Sequence, residues 1–456
     1  MSAVKEMTSG KPYKLILAFA LPMILGNIFQ QLYSMVDTVI VGKYVGVDAL
    51  AGVGSTGAIN FLVIGFALGI CSGFSIKIAQ SFGAGDYSGM RRYIANSFYL
   101  SGAAAVILTA GTMLLTKPIL RLMDTPEDIF KDAYDYIIII FAGISATIFY
   151  NILAGILRAL GDSKTPLYFL IISSVINIGL DLLFIIVFNM GVKGAGWATV
   201  ISQAVSAFFC LIYMNRNYKI LSFDKGELAF DKKRSAELIS VGIPMALQFS
   251  ITAIGSIILQ RAVNSLGKIP VASITAASKI QTVAIAPMES IGITMATYCG
   301  QNRGAGKFSR IRAGIKQSTI ISMIYCVVSF VIVSLLGGFI TTLFVDAGET
   351  EIIDLSVNYL RINGLFYPTL GILFIFRNAL QGMGYSLLPM TAGISELAAR
   401  SIVAFGFVTS LGFNAACLAS PVAWIFADTL LLIVYFIKIK ELKHELLFKR
   451  RHSSAS

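Results

Sequence analysis

Six residues of this sequence recur, in order, after a fixed interval. Gln80, Gly83, Ala84, Gly85, Ser88 and Arg91 return 221 positions later as Gln301, Gly304, Ala305, Gly306, Ser309 and Arg312. Leu21-Pro22-Met23 is answered by Ile243-Pro244-Met245 at an offset of 222, and Leu157, Gly161 and Pro166 by Leu380, Gly384 and Pro389 at an offset of 223. Three matches at one spacing, kept in chain order, mean one half built twice. Whatever fold the first half adopts, the second must adopt it too.

What each half consists of follows from its solvent. Of 456 residues, 56% are apolar and 13% charged, against about 45–50% and about 25% in soluble domains. Apolar runs of about twenty residues recur throughout, the length that crosses a hydrocarbon core about 30 Å thick. The expected fold is an all-α polytopic membrane protein of twelve transmembrane helices. The first six cover 14–42, 49–80, 93–116, 133–157, 166–189 and 194–214. The second six cover 235–264, 270–301, 314–337, 352–377, 386–410 and 415–437. Residues 1–13 are polar and basic and lead straight into a full span, which is not the pattern of a cleavable signal.

The net charge of +12 is accounted for by topology, so no nucleic-acid partner is expected. With both termini inside, the inner segments hold 25 Lys and Arg, including Lys5, Arg91, Arg92, Arg158, the cluster from Arg216 to Arg234, Arg377 and six in the tail. The outer loops hold six: Lys43, Lys117, Arg121, Lys131, Lys193 and Lys268. Such a bias orients a multi-pass protein in the cytoplasmic membrane. The domains are then an N-terminal lobe (1–214), a cytoplasmic linker (215–234), a C-terminal lobe (235–437) and a basic cytoplasmic tail (438–456). Six spans per half is an even number, so both halves enter the bilayer the same way up. They are expected to be related by a pseudo-twofold along the membrane normal, with a cavity between them. Pro22 and Pro244, each about one-third along an opening helix, are candidate kinks or hinges.

Ionisable groups within spans are few, and each is therefore informative. Asp37 falls late in the first helix. Asn177 and Asp181 are one turn apart in the fifth and share a face. Counted from Pro166, they are about 16 Å and about 22 Å into the membrane. Thr199, early in the sixth helix, reaches the same level. Two carboxylates in low dielectric cannot both stay charged and unpaired: one holds a proton, or a cation sits between them. That is the chemistry of a proton- or sodium-coupled device, with Na⁺, if it binds, held by Asp37, Asn177, Asp181 and Thr199. The alternative is a buried acid pair that only ties helices together. In the second half, Leu259, Arg400 and Ala404 stand where Asp37, Asn177 and Asp181 stand in the first. Glu396 and Arg400, at i and i+4, are expected to pair. Glu289 has no local partner, and Asp428 is unassigned. Gln30, Tyr33, Asn151, Gln203, Gln248 and Glu289 are candidate cavity residues.

The five cysteines form no metal-type pair, and the two histidines, His444 and His452, lie in the tail. No phosphate loop or nucleophile–base pair is visible, so neither an enzyme nor a bound cofactor is expected.

The two six-helix halves, Pro in the first and seventh helices, Gln-x-x-Gly-Ala-Gly after the second and eighth, and Gly161-Asp162-x-x-x-Pro166 together resemble the multidrug and toxic compound extrusion (MATE) transporters. The resemblance covers nearly the whole chain. Asp37, Asn177 and Asp181 resemble the cation site of that family's N-terminal lobe, and Thr199 matches its sixth-helix hydroxyl. The acids of the NorM-type branch in the seventh and tenth helices have no counterpart here, so the DinF-type branch is the nearer. The resemblance implies a V-shaped, monomeric pair of bundles that exports small organic cations in exchange for Na⁺ or H⁺. A lipid-linked precursor flippase of the same superfamily is the alternative. Such a protein would want several basic residues in its cavity, where this N-terminal lobe offers acids and amides.

Overall fold

The computed structural model describes residues 6–453, with side chains described as far as 441. Lys5 lies outside the described residues, as do the side chains beyond 441, those of His444 and His452 among them. The first half contains α1 (Pro12–Tyr44), α2 (Val47–Ser55), α3 (Gly57–Gly83), α4 (Tyr87–Leu122), α5 (Glu127–Ala142), α6 (Ile144–Ala159), α7 (Lys164–Asp181) and α8 (Val192–Asn217). The second contains α9 (Lys232–Asn264), α10 (Lys268–Gly304), α11 (Phe308–Thr341), α12 (Thr350–Leu365), α13 (Tyr367–Gly382), α14 (Leu387–Gly406), α15 (Val408–Leu411) and α16 (Phe413–Ser453). Backbone polar groups have no water to bond in a bilayer, so a chain this apolar closes its hydrogen bonds within helices.

Among the described residues, nine helices are individually long and apolar enough to span a membrane. The bent pairs α5–α6 and α12–α13 raise the count to eleven. The remaining expected span, 386–410, corresponds to α14, whose apolar character is diluted by Glu396 and Arg400. Several runs that read as continuous are broken. The expected helix 49–80 divides at Thr56. The chain bends by 47° at Gly143 and by 50° at Phe366. At Gly143 a Cβ would fall 2.2 Å from Val200 Cγ2, so a helix of the same unit crosses there on bare backbone. At Phe366 the cause is Pro368, in the first turn of α13, which lacks an N–H and disfavours helical backbone before it. Pro22 and Pro244, by contrast, lie inside unbroken helical backbone, as membrane helices allow.

The chain forms two compact units. One comprises Leu21–Ser250, the other Met7–Ala20 and the described chain from Ile251 onward. In the first, α3 carries Gly65, Gly69 and Gly73 at four-residue spacing. A Cβ on Gly69 would lie 2.4 Å from Ala246 Cα, and one on Gly73 2.5 Å from Gly242 Cα. The opening half of α9 thus packs backbone to backbone on a glycine stripe, a contact only small residues permit. In the second unit, Gly382 gives α13 the same access to α10, with a Cβ there 2.3 Å from the Ala296 carbonyl oxygen.

The repeated motifs are turns. Gly85 (φ 73°) and Gly306 (φ 66°) take the left-handed conformation that ends α3 and α10. The Asp86 carboxylate then caps α4, accepting from Gly89 N–H at 2.8 Å. Gly161 (φ 83°) likewise precedes Asp162, which accepts from the N–H groups of Lys164 and Thr165 at 2.9 and 3.1 Å and from Thr165 Oγ1 at 2.6 Å. In the first unit, the linker ahead of α9 is held on α4. Arg91 donates to Glu227 at 2.5 and 2.8 Å and to Asp224 at 3.1 Å, and Asn96 Oδ1 accepts from Asp231 N–H at 2.9 Å. In the second unit, the segment ahead of α1 is held the same way. Gln301 accepts from Met7 N–H at 2.8 Å, and Arg310 donates to the Gly10 carbonyl at 2.9 Å.

Candidate functional site

The acids of the first unit converge. Asn177 and Asp181 occupy the last turns of α7 and are 1% and 0% exposed. The α-helix stops at Asp181, and Leu182–Val187 continue as a π-helix. Such wide turns are rare and recur at functional sites. With its amide turned so that nitrogen faces the acid, Asn177 donates to Asp181 Oδ2 at 3.1 Å and accepts from the Thr199 N–H at 3.2 Å. That orientation satisfies both ends of the amide, whereas the opposite one leaves a 3.4 Å contact to Thr199 Oγ1. Thr199 is half-buried on α8.

Asp37, half-buried on α1, brings its carboxyl within hydrogen-bonding reach of Asp181. Lower on the same helix, Gly26 of α1 lies beside Leu167 and Leu170 of α7, where a Cβ would meet them at 3.5 and 3.4 Å. Asp37 Oδ1 and Asp181 Oδ1 are both buried without a hydrogen-bond partner. Two carboxyls this close repel when both are ionised, so the pair must take up a proton or a cation.

Two tyrosines complete the surroundings. Tyr33, one turn before Asp37, feels both carboxylates. So does Tyr136 of α5, 9% exposed, which sequence reasoning missed. Its signal was depth: it falls near the outer start of its span, level with Thr199.

The other candidates separate. Asn151 donates to the Thr147 carbonyl at 2.8 Å, and Thr147 Oγ1 donates to Gln203 at 2.6 Å, so these form a second polar cluster between α6 and α8. Gln30 is exposed and Gln248 buried, both in the first unit. Glu289 is half-buried on α10 of the second unit.

The second unit has its own charge centre. Glu396 accepts from Arg400 at 2.9 Å, as its spacing predicted, and from Arg377 at 2.8 Å. Arg377, counted above among the inner-surface cations, is instead 6% exposed within the bundle. Its partner is on the next helix, a contact that sequence spacing does not reveal.

The run of long apolar helices defines a class, the multi-pass membrane protein, and comparison with known proteins supplies the family. The MatE family model matches residues 22–183 and again 244–406, one match per half. The chain belongs to this family, that of the MATE transporters. It is 29% identical over 382 residues to "Probable multidrug resistance protein YpnP" of Bacillus subtilis, covering 84% of this chain and 85% of that one. It is 28% identical over 447 residues to "Probable multidrug resistance protein NorM" of Thermotoga maritima, covering 96% and 95%. Its fold is shared with a solved structure described as "Outward-facing conformation of a multidrug resistance MATE family transporter of the MOP superfamily" (TM-score 0.88, 22% identity, 96% of this chain and 98% of that one).

Proposed function

We propose that this protein is a cation-coupled antiporter that exports small organic cations across the cytoplasmic membrane, with both termini inside. It requires no cofactor, and H⁺ or Na⁺ is the coupling ion. The lobes 1–214 and 235–437, joined by the linker 215–234, alternate in access, with Pro22 and Pro244 as points of bending. Relatives named for multidrug resistance support the substrate class. One observation carries the coupling: Asp37 and Asp181 are within hydrogen-bonding reach, and each keeps a buried oxygen without a partner. Asn177 and Thr199 orient the pair. Bound H⁺ or Na⁺ cancels one of its two negative charges and relieves their repulsion, and its release restores the repulsion that opposes the next conformation. A group can drive such a cycle only if its two states bind the ion differently.

The flippase reading is weaker. The buried arginines identified in the second unit, Arg377 and Arg400, are both engaged by Glu396 rather than bare.

The test is efflux of a fluorescent organic cation from proteoliposomes under imposed proton or sodium gradients. Asp37→Asn and Asp181→Asn should each abolish gradient-driven flux at matched reconstitution. An amide of equal size cannot change its charge. Gradient-dependent flux at the wild-type rate in either variant would make that carboxylate structural and overturn the coupling scheme.

A further inference from the structure

The second unit holds a buried carboxyl that the Asp37–Asp181 scheme does not use. Asp428, on α16, is 6% exposed and its Oδ1 has no hydrogen-bond partner. It lies within the electrostatic field of Arg377 of α13 and Glu396 of α14, with no ion pair to either. Those two belong to a triad in which Glu396 Oε2 accepts from Arg377 Nη2 at 2.8 Å and Oε1 from Arg400 Nη2 at 2.9 Å. Each guanidinium keeps a buried Nε–H without a partner. From α12, Tyr359 donates to Gln281 at 3.0 Å and lies beside Arg400 and Cys417. The segment α15 carries no charged residue.

Two cations therefore share one anion, and a fourth group of opposite sign stands close without closing the circuit. An ionised carboxylate left buried and unpaired is strongly disfavoured. Asp428 has two ways out. It can close on the unused Nε–H of Arg377, or it can bind a proton.

We propose that Asp428 is a proton-binding site of the second unit, separate from the Asp37–Asp181 pair. A proton from water adds to the carboxylate when it stands off the triad, as here. It returns to water when the carboxylate closes on Arg377. The Asp37–Asp181 reading is not needed for this, and the two fail separately.

The full chain in lipid nanodiscs, grown with isotope-labelled aspartate, is compared by infrared difference spectroscopy between buffers at about pH 6 and about pH 10, both above the ordinary aspartate value of about 3.9, so that exposed aspartates stay ionised in each. In the Asp37→Asn/Asp181→Asn variant, a labelled protonated-carboxyl band should remain. Adding Asp428→Asn should remove it. Adding Asp428→Glu should keep a carboxyl band that no longer responds to the aspartate label. This variant also carries the test if the asparagine form does not fold. Absence of a labelled band in the double variant, or a labelled band that survives either change at 428, would overturn the proposal.

Discussion

Glu396 is the residue whose loss should cost the second unit most. It is 5% exposed and accepts one hydrogen bond from each of two buried arginines, at 2.8 and 2.9 Å. Glu396→Gln keeps shape but removes the charge. The amide oxygen can still accept from one guanidinium, while the amide nitrogen turns toward the other. At least one buried cation is stranded, and breaking a buried pair from one side costs about 3–5 kcal/mol. That is a large share of a typical folding margin of about 5–15 kcal/mol. The chain has two tryptophans, Trp197 on α8 in the first unit and Trp424 on α16 in the second. In a Trp197→Phe background, Trp424 fluorescence reports unfolding of the second unit alone. The signal should be lost well below the denaturant concentration that unfolds the parent. Replacing Arg377, Glu396 and Arg400 together by methionine, with Asp428→Asn, should cost less than Glu396→Gln. No buried charge is then left unpaired. An unchanged midpoint for Glu396→Gln, or a quadruple variant weaker than the single one, would refute the reasoning.

Three further outcomes can be checked. Gly69→Val drives a branched side chain into the Ala246 backbone, where a single Cβ is already at 2.4 Å. It should cost about 3 kcal/mol or more, read from Trp197 in a Trp424→Phe background. Arg91→Ala should free the linker, so that trypsin cuts within 215–234 faster than in the wild type. A linker equally resistant in both would mean that Arg91 does not hold it. Acid should act on the same contact: the hydrogen bond from Arg91 holds the Glu227 carboxyl down from 4.5 to about 2. A depressed folded value contributes stability above the unfolded one and loses it as pH falls through the folded one. Pepsin sensitivity of the linker should therefore rise between pH 4.5 and about 2, and a flat profile would contradict this.

Periodicity and depth served the sequence reading well where chemistry is local. Asn177 and Asp181 share a face because they are one turn apart, and simple rise placed Thr199 beside them. The Glu396–Arg400 pair was legible on the same ground. Contacts between helices far apart in sequence were not legible. Nothing in the spacing of Arg377 marks it as a partner of Glu396, and an Arg at the end of an apolar run counts equally well as an inner-surface cation. Breaks were also hidden. Composition supports a straight helix through Gly143 and Phe366, because an apolar run looks the same whether or not another helix crosses it. Pro22 and Pro244 break neither helix: the helical backbone runs through both.

The repeat explains why the two units hold different charges on one plan. Its offsets pin the turns: Gly85 with Gly306 and Gly161 with Gly384 all have positive φ. A left-handed turn tolerates little but glycine, so these positions kept their residues in both halves. Side chains facing the interior of a bundle have no such backbone constraint. They need only be satisfied or used. At that level Asp181 answers to Ala404 and Asn177 to Arg400, and the second unit has built its charges on Glu396 and Asp428 instead. Two buried acid centres at non-equivalent positions cannot be one ancestral site kept twice. The Asp37–Asp181 pair lacks a cation to close it, whereas Glu396 is closed by two. Under the two proposals above, the first is the pair left open to exchange an ion, and Asp428 is a carboxyl of the second that the triad does not engage.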